Sequence, residues 1–251
     1  MMNNYFDISY ELRHFELNRF GEASPTLVLA LLEEAAAEHC QAIGYGLYDL
    51  LEQNIGWVLS SGFLQMKQYP RYKEKITIRT WLSEYSTIRG IRENIIFDSK
   101  MNVIGRGKGL WIFFDIKRRR PVPIFDEIIK RWSFIKDESI ELPAKKLLQT
   151  DGLQIVEYFK VKASEIDMYG HVNNLIYLEW LLDSIPDEII ENCYLYEIEG
   201  HFISEVKRGD KITITTRVDR KTNTICHTIR NTETGKICAS AITNWKKRKQ
   251  C

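Results

Sequence analysis

The sequence predicts an α+β fold of two tandem units, each with an antiparallel β-sheet wrapped around a long helix. Three observations support this prediction. The order of one strand, one helix and several antiparallel strands occurs twice along the 251 residues. The helix predicted after residues 167–174 is apolar on almost every side, so a sheet has to cover it. A short match, "KITIRT" at 75–80 and "KITITT" at 211–216, falls at the same point of both halves.

The first half contains every element of the predicted unit. Residues 4–17 alternate in the way that is typical of a strand. A helix follows, because Ser24 is a good N-cap, Pro25 suits the first helical position and Gly44 marks a stop. Segments rich in β-branched and aromatic residues then predict an antiparallel meander. These segments span residues 56–69, 75–85, 88–98 and 103–116.

The second half repeats this order. A strand is predicted near residues 158–165, and a helix over 174–185 is closed by Pro186. The strands expected after it span residues 194–206, 211–220, 224–231 and 236–246. A helix enclosed by a curled antiparallel sheet is the hot-dog arrangement, so the chain is predicted to be a double hot dog.

The predicted domain boundaries follow the repeat. Residues 1–133 form the first unit, the polar stretch 134–152 is the connector, and residues 153–251 form the second unit. Hydrophobic residues make up 44% of the chain, which is ample for a packed core in each unit.

Composition argues against several classes of protein. The formal net charge of +1 gives no general attraction to nucleic acid. The five cysteines are scattered without a CxxC pair, and no HExxH pattern occurs, so neither a disulfide framework nor a metal site is expected. The longest apolar runs, such as "LVLALL" at 27–32, are far shorter than the roughly 20 residues of a membrane span. We expect a cytoplasmic protein without a membrane span, metal or cofactor.

The most informative stretch is "DMYGHVNN" at 167–174, directly before the apolar helix. An Asp-x-x-Gly sequence at this place commonly forms a turn, and Asn173 or Asn174 is expected to cap the helix. A later acid, Glu205, lies 34 positions after His171 on a predicted strand. Taken alone, the histidine fits a solvated loop position and the glutamate a solvent-facing strand position.

This stretch resembles the active-site segment of acyl-acyl-carrier-protein (acyl-ACP) thioesterases, which release free fatty acids from the carrier protein in bacteria and plant plastids. The family pattern is an Asp, a polar residue that is often Asn, then His-Val-Asn-Asn, a helix, and an acid at the spacing of Glu205. The resemblance covers the whole chain. It implies that Asp167, His171 and Glu205 are catalytic and that the first unit houses the acyl chain.

Two positions depart from the family pattern. Tyr169 stands where an Asn is frequent, and it could form a pocket wall or replace the Asn as a hydrogen-bond donor. Val206 stands where plant members have a cysteine. Because a valine cannot attack a carbonyl, we expect hydrolysis through an activated water.

The residue types fit thioester hydrolysis. Backbone N–H groups at a helix N-terminus can stabilise an oxyanion, so residues 169–173 are expected to supply them, with Gly170 allowing close backbone approach. Tyr169, Gly170 and Asn173 are therefore the candidate substrate-binding residues.

The acid–base roles are assigned to three side chains. Glu205 is expected to take a proton from water, and His171 to orient that water or share its proton. Asp167 is expected to fix the tautomer of the imidazole. When the helices are aligned, "RFGEASP" at 19–25 falls opposite "DMYGHVN" at 167–173, so the first unit is expected to lack a catalytic set.

Acyl carrier proteins are acidic, so their docking surface should be basic. The candidates are the runs at 117–120, 145–146 and 246–249. The alternative functions are an acyl-CoA thioesterase, a hot-dog dehydratase and a non-catalytic sensor that binds acyl thioesters. Pairing of two chains into a homodimer stays open.

Overall fold

The computed structural model describes residues 5–132, 134–135 and 153–248. The chain divides into two compact units, Met1–Leu142 and Pro143–Cys251. The predicted connector at 134–152 lies outside the described residues except for residues 134 and 135.

The first unit has the predicted plan of one long helix and an antiparallel sheet. Its described strands are β1 (Phe6–Glu11), β2 (Ile55–Met66), β3 (Lys75–Ser86), β4 (Arg89–Phe97), β5 (Val103–Asp115) and β6 (Arg120–Pro121). The strand order is β1-β3-β4-β5-β2, with β6 paired to β5. Its helices are α1 (Pro25–Ala42), α2 (Leu47–Glu52) and α3 (Asp126–Arg131).

Helix α1 begins and ends where the sequence predicts. The side chain of Ser24 accepts the backbone N–H of Leu27 at 3.0 Å, and Pro25 occupies the first turn. Gly44 follows the helix with φ +79°, a conformation that side chains other than glycine rarely adopt. The predicted N-cap and stop are confirmed.

The second unit repeats the arrangement. Its described elements are β7 (Leu153–Lys160), α4 (Asn174–Asp183), α5 (Asp187–Asn192), β8 (Cys193–Phe202), β9 (Lys211–Asp219), β10 (Thr224–Asn231) and β11 (Ile237–Lys247). The strand order is β8-β11-β10-β9-β7, and every pair within it is antiparallel.

Two predicted strands differ from the observed ones. The strand predicted near 158–165 lies earlier, in β7, and a short 3-10 turn occupies 163–165. The strand predicted over 194–206 ends at Phe202, so Glu205 lies in a loop. The ladder stops there because the N–H groups of Ile203 and Ser204 both donate to the carbonyl of Cys238.

The core of the second unit contains a line of hydrogen-bonded side chains beneath α4, which we call the core network. Its members are Ser184, Thr216, His227, Thr243 and Trp245. The Ser184 hydroxyl donates to the carbonyl of Leu181, and the indole N–H of Trp245 donates to Thr243 Oγ1. The direction of the first and the last hydrogen bond is therefore known. With a neutral imidazole, every hydroxyl and ring nitrogen between them can then have one donor and one acceptor matched correctly. Burial lowers the pKa of His227 to about 3, in agreement with that neutral form.

The thiols in the described residues are free. They belong to Cys40, Cys193, Cys226 and Cys238. Within the described residues no cluster of His, Cys, Asp and Glu side chains has the make-up of a metal site. Among the helices of that same part of the chain, none has the length and apolar character to cross a membrane.

Candidate active site

The loop before α4 is a tight turn organised by Asp167. The backbone N–H of Asp167 donates to His171 O at 2.8 Å, and the N–H of Gly170 donates to Asp167 O at 3.1 Å. Oδ1 of Asp167 accepts the N–H groups of Tyr169 at 2.8 Å and His171 at 3.3 Å. The sequence analysis expects this carboxylate to fix the imidazole tautomer. In the structure this carboxylate holds the backbone that carries His171, and its action on the imidazole stays a prediction.

Gly170 is required by the turn rather than by a close approach. Its φ is +80°, which favours glycine. A Cβ built on it would meet no atom of the described chain within 4 Å. From the sequence, glycine is expected here because it would let a neighbouring backbone come close. The structure instead indicates that glycine is needed for the positive φ of the turn.

A second loop, residues 203–206, is fixed against β11 and brings Glu205 to the first loop. Besides the two backbone bonds to Cys238, Oγ of Ser204 donates to Ile237 O at 2.9 Å. The N–H of Val172 donates to Val206 O at 3.0 Å, and both valines are buried. One main-chain bond thus joins the residues that directly follow His171 and Glu205.

The structure brings His171 and Glu205 together, as the sequence analysis predicts. Nε2 of His171 lies 3.3 Å from Oε2 of Glu205. The imidazole side chain is 18% exposed and the carboxylate side chain 40% exposed. The carboxylate can therefore meet a water molecule or a substrate while the imidazole holds its position.

Backbone N–H groups of the loop are already used within the protein. Tyr169, Gly170 and His171 donate to Asp167, Val172 donates to Val206, and Asn173 donates to Glu165. In α4, the N–H groups of Leu175 and Ile176 donate to Asn173. The N–H of Asn174 has no acceptor among the described residues. It is an available donor at the first position of α4, whereas residues 169–173 are expected from the sequence to supply the donors.

Asn173 acts as the N-cap of α4, since its Oδ1 accepts the N–H of Leu175 at 2.8 Å. We expect Asn173→Ala to lower the free energy of unfolding by about 1 kcal/mol, because one helix N–H loses its acceptor. Urea unfolding measures this loss. Asn173→Asp keeps a capping oxygen, so it should keep both stability and activity. A stable but inactive Asn173→Asp variant would instead indicate that the amide contacts substrate.

Two tyrosines lie on the loop and helix of this site, Tyr169 two residues before His171 and Tyr177 on α4. Tyr169 is half-buried, and burial, with the charge of Asp167 as a smaller cause, raises the pKa of its phenol. Tyr177 is buried on α4, and its ring packs edge-on against that of Phe202 at the end of β8, with the ring centroids 5.5 Å apart. Burial also raises the pKa of Tyr177. The sequence feature that could have identified Tyr177 is its position one helical turn after the N-cap Asn173, on the side of α4 that faces the sheet.

The first unit contains the same turn without the same chemistry. Oδ1 of Asn18 accepts the N–H groups of Phe20 at 2.9 Å and Glu22 at 3.3 Å, and Gly21 has φ +71°. Asn18 therefore corresponds to Asp167, and Glu22 to His171, one position away from the predicted alignment of 19–25 with 167–173. The helix N-caps, Ser24 and Asn173, give the same register as the turn, so the predicted alignment is one residue out.

Comparison with solved structures supports the fold. An acyl-ACP thioesterase from Bacteroides thetaiotaomicron matches with a TM-score of 0.83 at 21% identity, covering 97% of this chain and 98% of that chain. The 12:0-ACP thioesterase from Umbellularia californica matches with a TM-score of 0.83 at 19% identity, covering 99% of each chain. The predicted α+β double hot-dog fold is confirmed.

Sequence comparison identifies the family. Residues 3–132 match the acyl-ACP thioesterase N-terminal domain, and residues 149–247 match the acyl-ACP thioesterase C-terminal domain. A chloroplastic acyl-[acyl-carrier-protein] hydrolase from Cuphea viscosissima is 24% identical over 226 residues, which are 85% of this chain and 55% of the relative. The chloroplastic oleoyl-acyl carrier protein thioesterase 2 of Arabidopsis thaliana is 25% identical, over 79% of this chain and 59% of the relative. The chain thus spans a little over half the length of these relatives. With both domains matched, the chain belongs to the acyl-ACP thioesterase family.

Proposed function

We propose that this protein hydrolyses the thioester of a fatty acyl-ACP to a free fatty acid and the carrier protein. The observation that carries the proposal is the 3.3 Å approach of His171 Nε2 to Glu205 Oε2 in a chain of this family. The pair is built on two loops that a main-chain bond between Val172 and Val206 holds together.

In the proposed reaction, Glu205 accepts a proton from a water whose oxygen attacks the thioester carbonyl carbon. His171 donates its Nε2–H to the carboxylate and keeps it aimed at the water. When the tetrahedral intermediate collapses, the carbon–sulfur bond breaks and the proton passes from Glu205 to the leaving sulfur. Val206, which follows Glu205, offers no nucleophile, so no acyl-enzyme forms there.

The developing oxyanion needs a donor, and the N–H of Asn174 is the candidate. It lies at the first position of α4, where the positive end of the helix dipole favours negative charge. Asp167 acts as a positioning residue, because its bonds to the backbone of Tyr169 and His171 fix the turn that precedes this helix.

An acidic carrier protein is proposed to dock on a basic surface, and the first unit to hold the acyl chain. The run 117–120 fits docking best, because all four of its side chains are exposed at the turn between β5 and β6. Lys246 in the carboxy-terminal run instead packs on Tyr196, with Nζ 3.2 Å from the ring centroid. The run 145–146 lies outside the described residues.

The test is thiol release from matched acyl-ACP and acyl-CoA thioesters across a range of chain lengths. We expect turnover of carrier-bound substrates, with a higher kcat/KM than for the CoA thioesters. Tight binding of thioesters without thiol release would contradict the proposal and favour the sensor. Equal or faster turnover of acyl-CoA would contradict the assignment of the carrier protein as partner.

A further inference from the structure

The first unit has a buried polar cluster between its sheet and α1. Thr80 on β3 and Arg92 and Asn94 on β4 face the helix, and His39 of α1 meets them. Nη1 of Arg92 lies 3.1 Å from both His39 Nδ1 and Thr80 Oγ1. A Cβ built on Gly107 would lie 3.6 Å from the Cβ of Asn94 and 2.6 Å from Leu32 of α1, which places Asn94 on the same face.

Arg92 carries a positive charge without a carboxylate partner among the described residues. The residue is 4% exposed. Its contacts are the two neutral groups above and the ring of Trp132, whose centroid lies 5.8 Å from Cζ. Nε and Nη2 have no acceptor in the described chain. The next residue, Glu93, does not form an ion pair with Arg92. Its Oε1 instead contacts Lys108 at 3.0 Å and Ser83 at 2.9 Å.

Asn94, in contrast, has an acceptor atom without a donor among the residues described. It is 5% exposed, and its Oδ1 is buried without a donor in the described part of the chain. Nε1 of Trp132 is likewise buried there without an acceptor. Buried polar atoms are almost always hydrogen-bonded in folded proteins, so the unmet donor of Trp132 and the unmet acceptor of Asn94 call for a missing group.

The second unit shows that the fold itself does not require these gaps. In register, Thr80 pairs with Asn94 on β3 and β4, and Thr216 pairs with His227 on β9 and β10. At this second place every polar side chain of the core network finds a partner. The unmet groups are therefore specific to the first unit, the one proposed to hold the acyl chain.

We propose that the cluster of His39, Thr80, Arg92 and Asn94 binds a hydroxyl group on the acyl chain of the substrate. A hydroxyl both accepts a hydrogen bond from Arg92 and donates one to Asn94 Oδ1. A methylene would offer neither an acceptor to the remaining N–H groups of Arg92 nor a donor to Asn94 Oδ1, and a carboxylate would leave Asn94 Oδ1 without a donor. This inference rests on the proposed function, and it names hydroxylated acyl thioesters as the preferred substrate class.

The test compares a saturated acyl-ACP with hydroxylated counterparts of the same length, in which the hydroxyl is moved carbon by carbon along the chain. At one position we expect a kcat/KM roughly 10- to 100-fold above that of the saturated substrate, the value of one hydrogen bond to a charged group. Arg92→Met and Asn94→Leu should each reduce this preference to less than about threefold. Arg106→Met, an exposed arginine on β5, is the control and should keep the full preference.

Two results would overturn the inference. One is a wild-type protein that favours the saturated chain or treats both chains equally, in which case a bound water satisfies the cluster. The other is a hydroxyl preference that survives in folded Arg92→Met and Asn94→Leu variants. Calorimetric titration of free hydroxylated and saturated fatty acids measures the same preference without catalysis. Hydroxyl-selective binding without any thiol release would keep this inference and contradict the proposed hydrolysis.

Discussion

Glu205→Gln is expected to lower kcat for acyl-ACP hydrolysis by about 10²- to 10⁴-fold, the usual contribution of a positioned general base. Glutamine keeps the size of the side chain and can still contact His171, but it cannot take a proton from water. The side chain is 40% exposed, so the free energy of unfolding should change by no more than about 0.5 kcal/mol. Single-turnover thiol release separates this loss of chemistry from weaker binding.

A second His–Glu pair in the same unit provides the matched control. Nε2 of His201 lies 3.1 Å from Oε1 of Glu199, and both residues belong to β8. Glu199→Gln removes the same charge beside the same type of residue and should keep wild-type turnover. Equal losses in the two variants would point to a general electrostatic effect and would remove Glu205 from the role of base.

Acidification from pH 6.5 to pH 5 is expected to destabilise the second unit by about 1.6 kcal/mol through His227. The residue is 2% exposed, and its pKa in the folded protein is about 3 against an ordinary value of 6.5. The folded state therefore holds the neutral imidazole, while the unfolded chain gains a proton as the pH falls below 6.5. The loss per pH unit is about half of 1.36 kcal/mol at pH 6.5, approaches about 1.36 kcal/mol near pH 5, and continues until the folded pKa is reached.

Urea unfolding of wild type and His227→Gln across this pH range measures the effect. His39, whose pKa burial and the charge of Arg92 lower to about 3, contributes to both proteins. The difference between the two slopes therefore isolates His227. The variant should be less stable at pH 7 yet lose less on acidification. Parallel slopes would mean that His227 does not stay neutral in the folded core.

Local signals in the sequence predicted those parts of the fold that local physics determines. Ser24 and Pro25 set the start of α1, and the apolar character of residues 175–182 required a sheet around α4. The short helices α2, α3 and α5 were missed because six residues are too few to show a helical period. The end of β8 was missed because it depends on the carbonyl of Cys238, a distant residue.

The candidate site was predicted in part. The resemblance named His171 and Glu205, and the structure places them in contact. Nothing in the sequence shows whether a carboxylate in such a loop binds a ring or its own backbone, and the structure shows the backbone contacts of Asp167. Tyr177 was missed since the ring it packs against, that of Phe202, lies on a strand distant in sequence.

The bond between Val172 N–H and Val206 O has a consequence for mutational tolerance. Since it uses only main-chain atoms, almost any side chain at either position preserves it, provided that the buried space is filled. Proline at position 172 is the exception, because it has no N–H to donate. Most substitutions at these two positions should therefore leave the distance between His171 and Glu205 unchanged. The surrounding side chains can then be changed to accept other acyl groups.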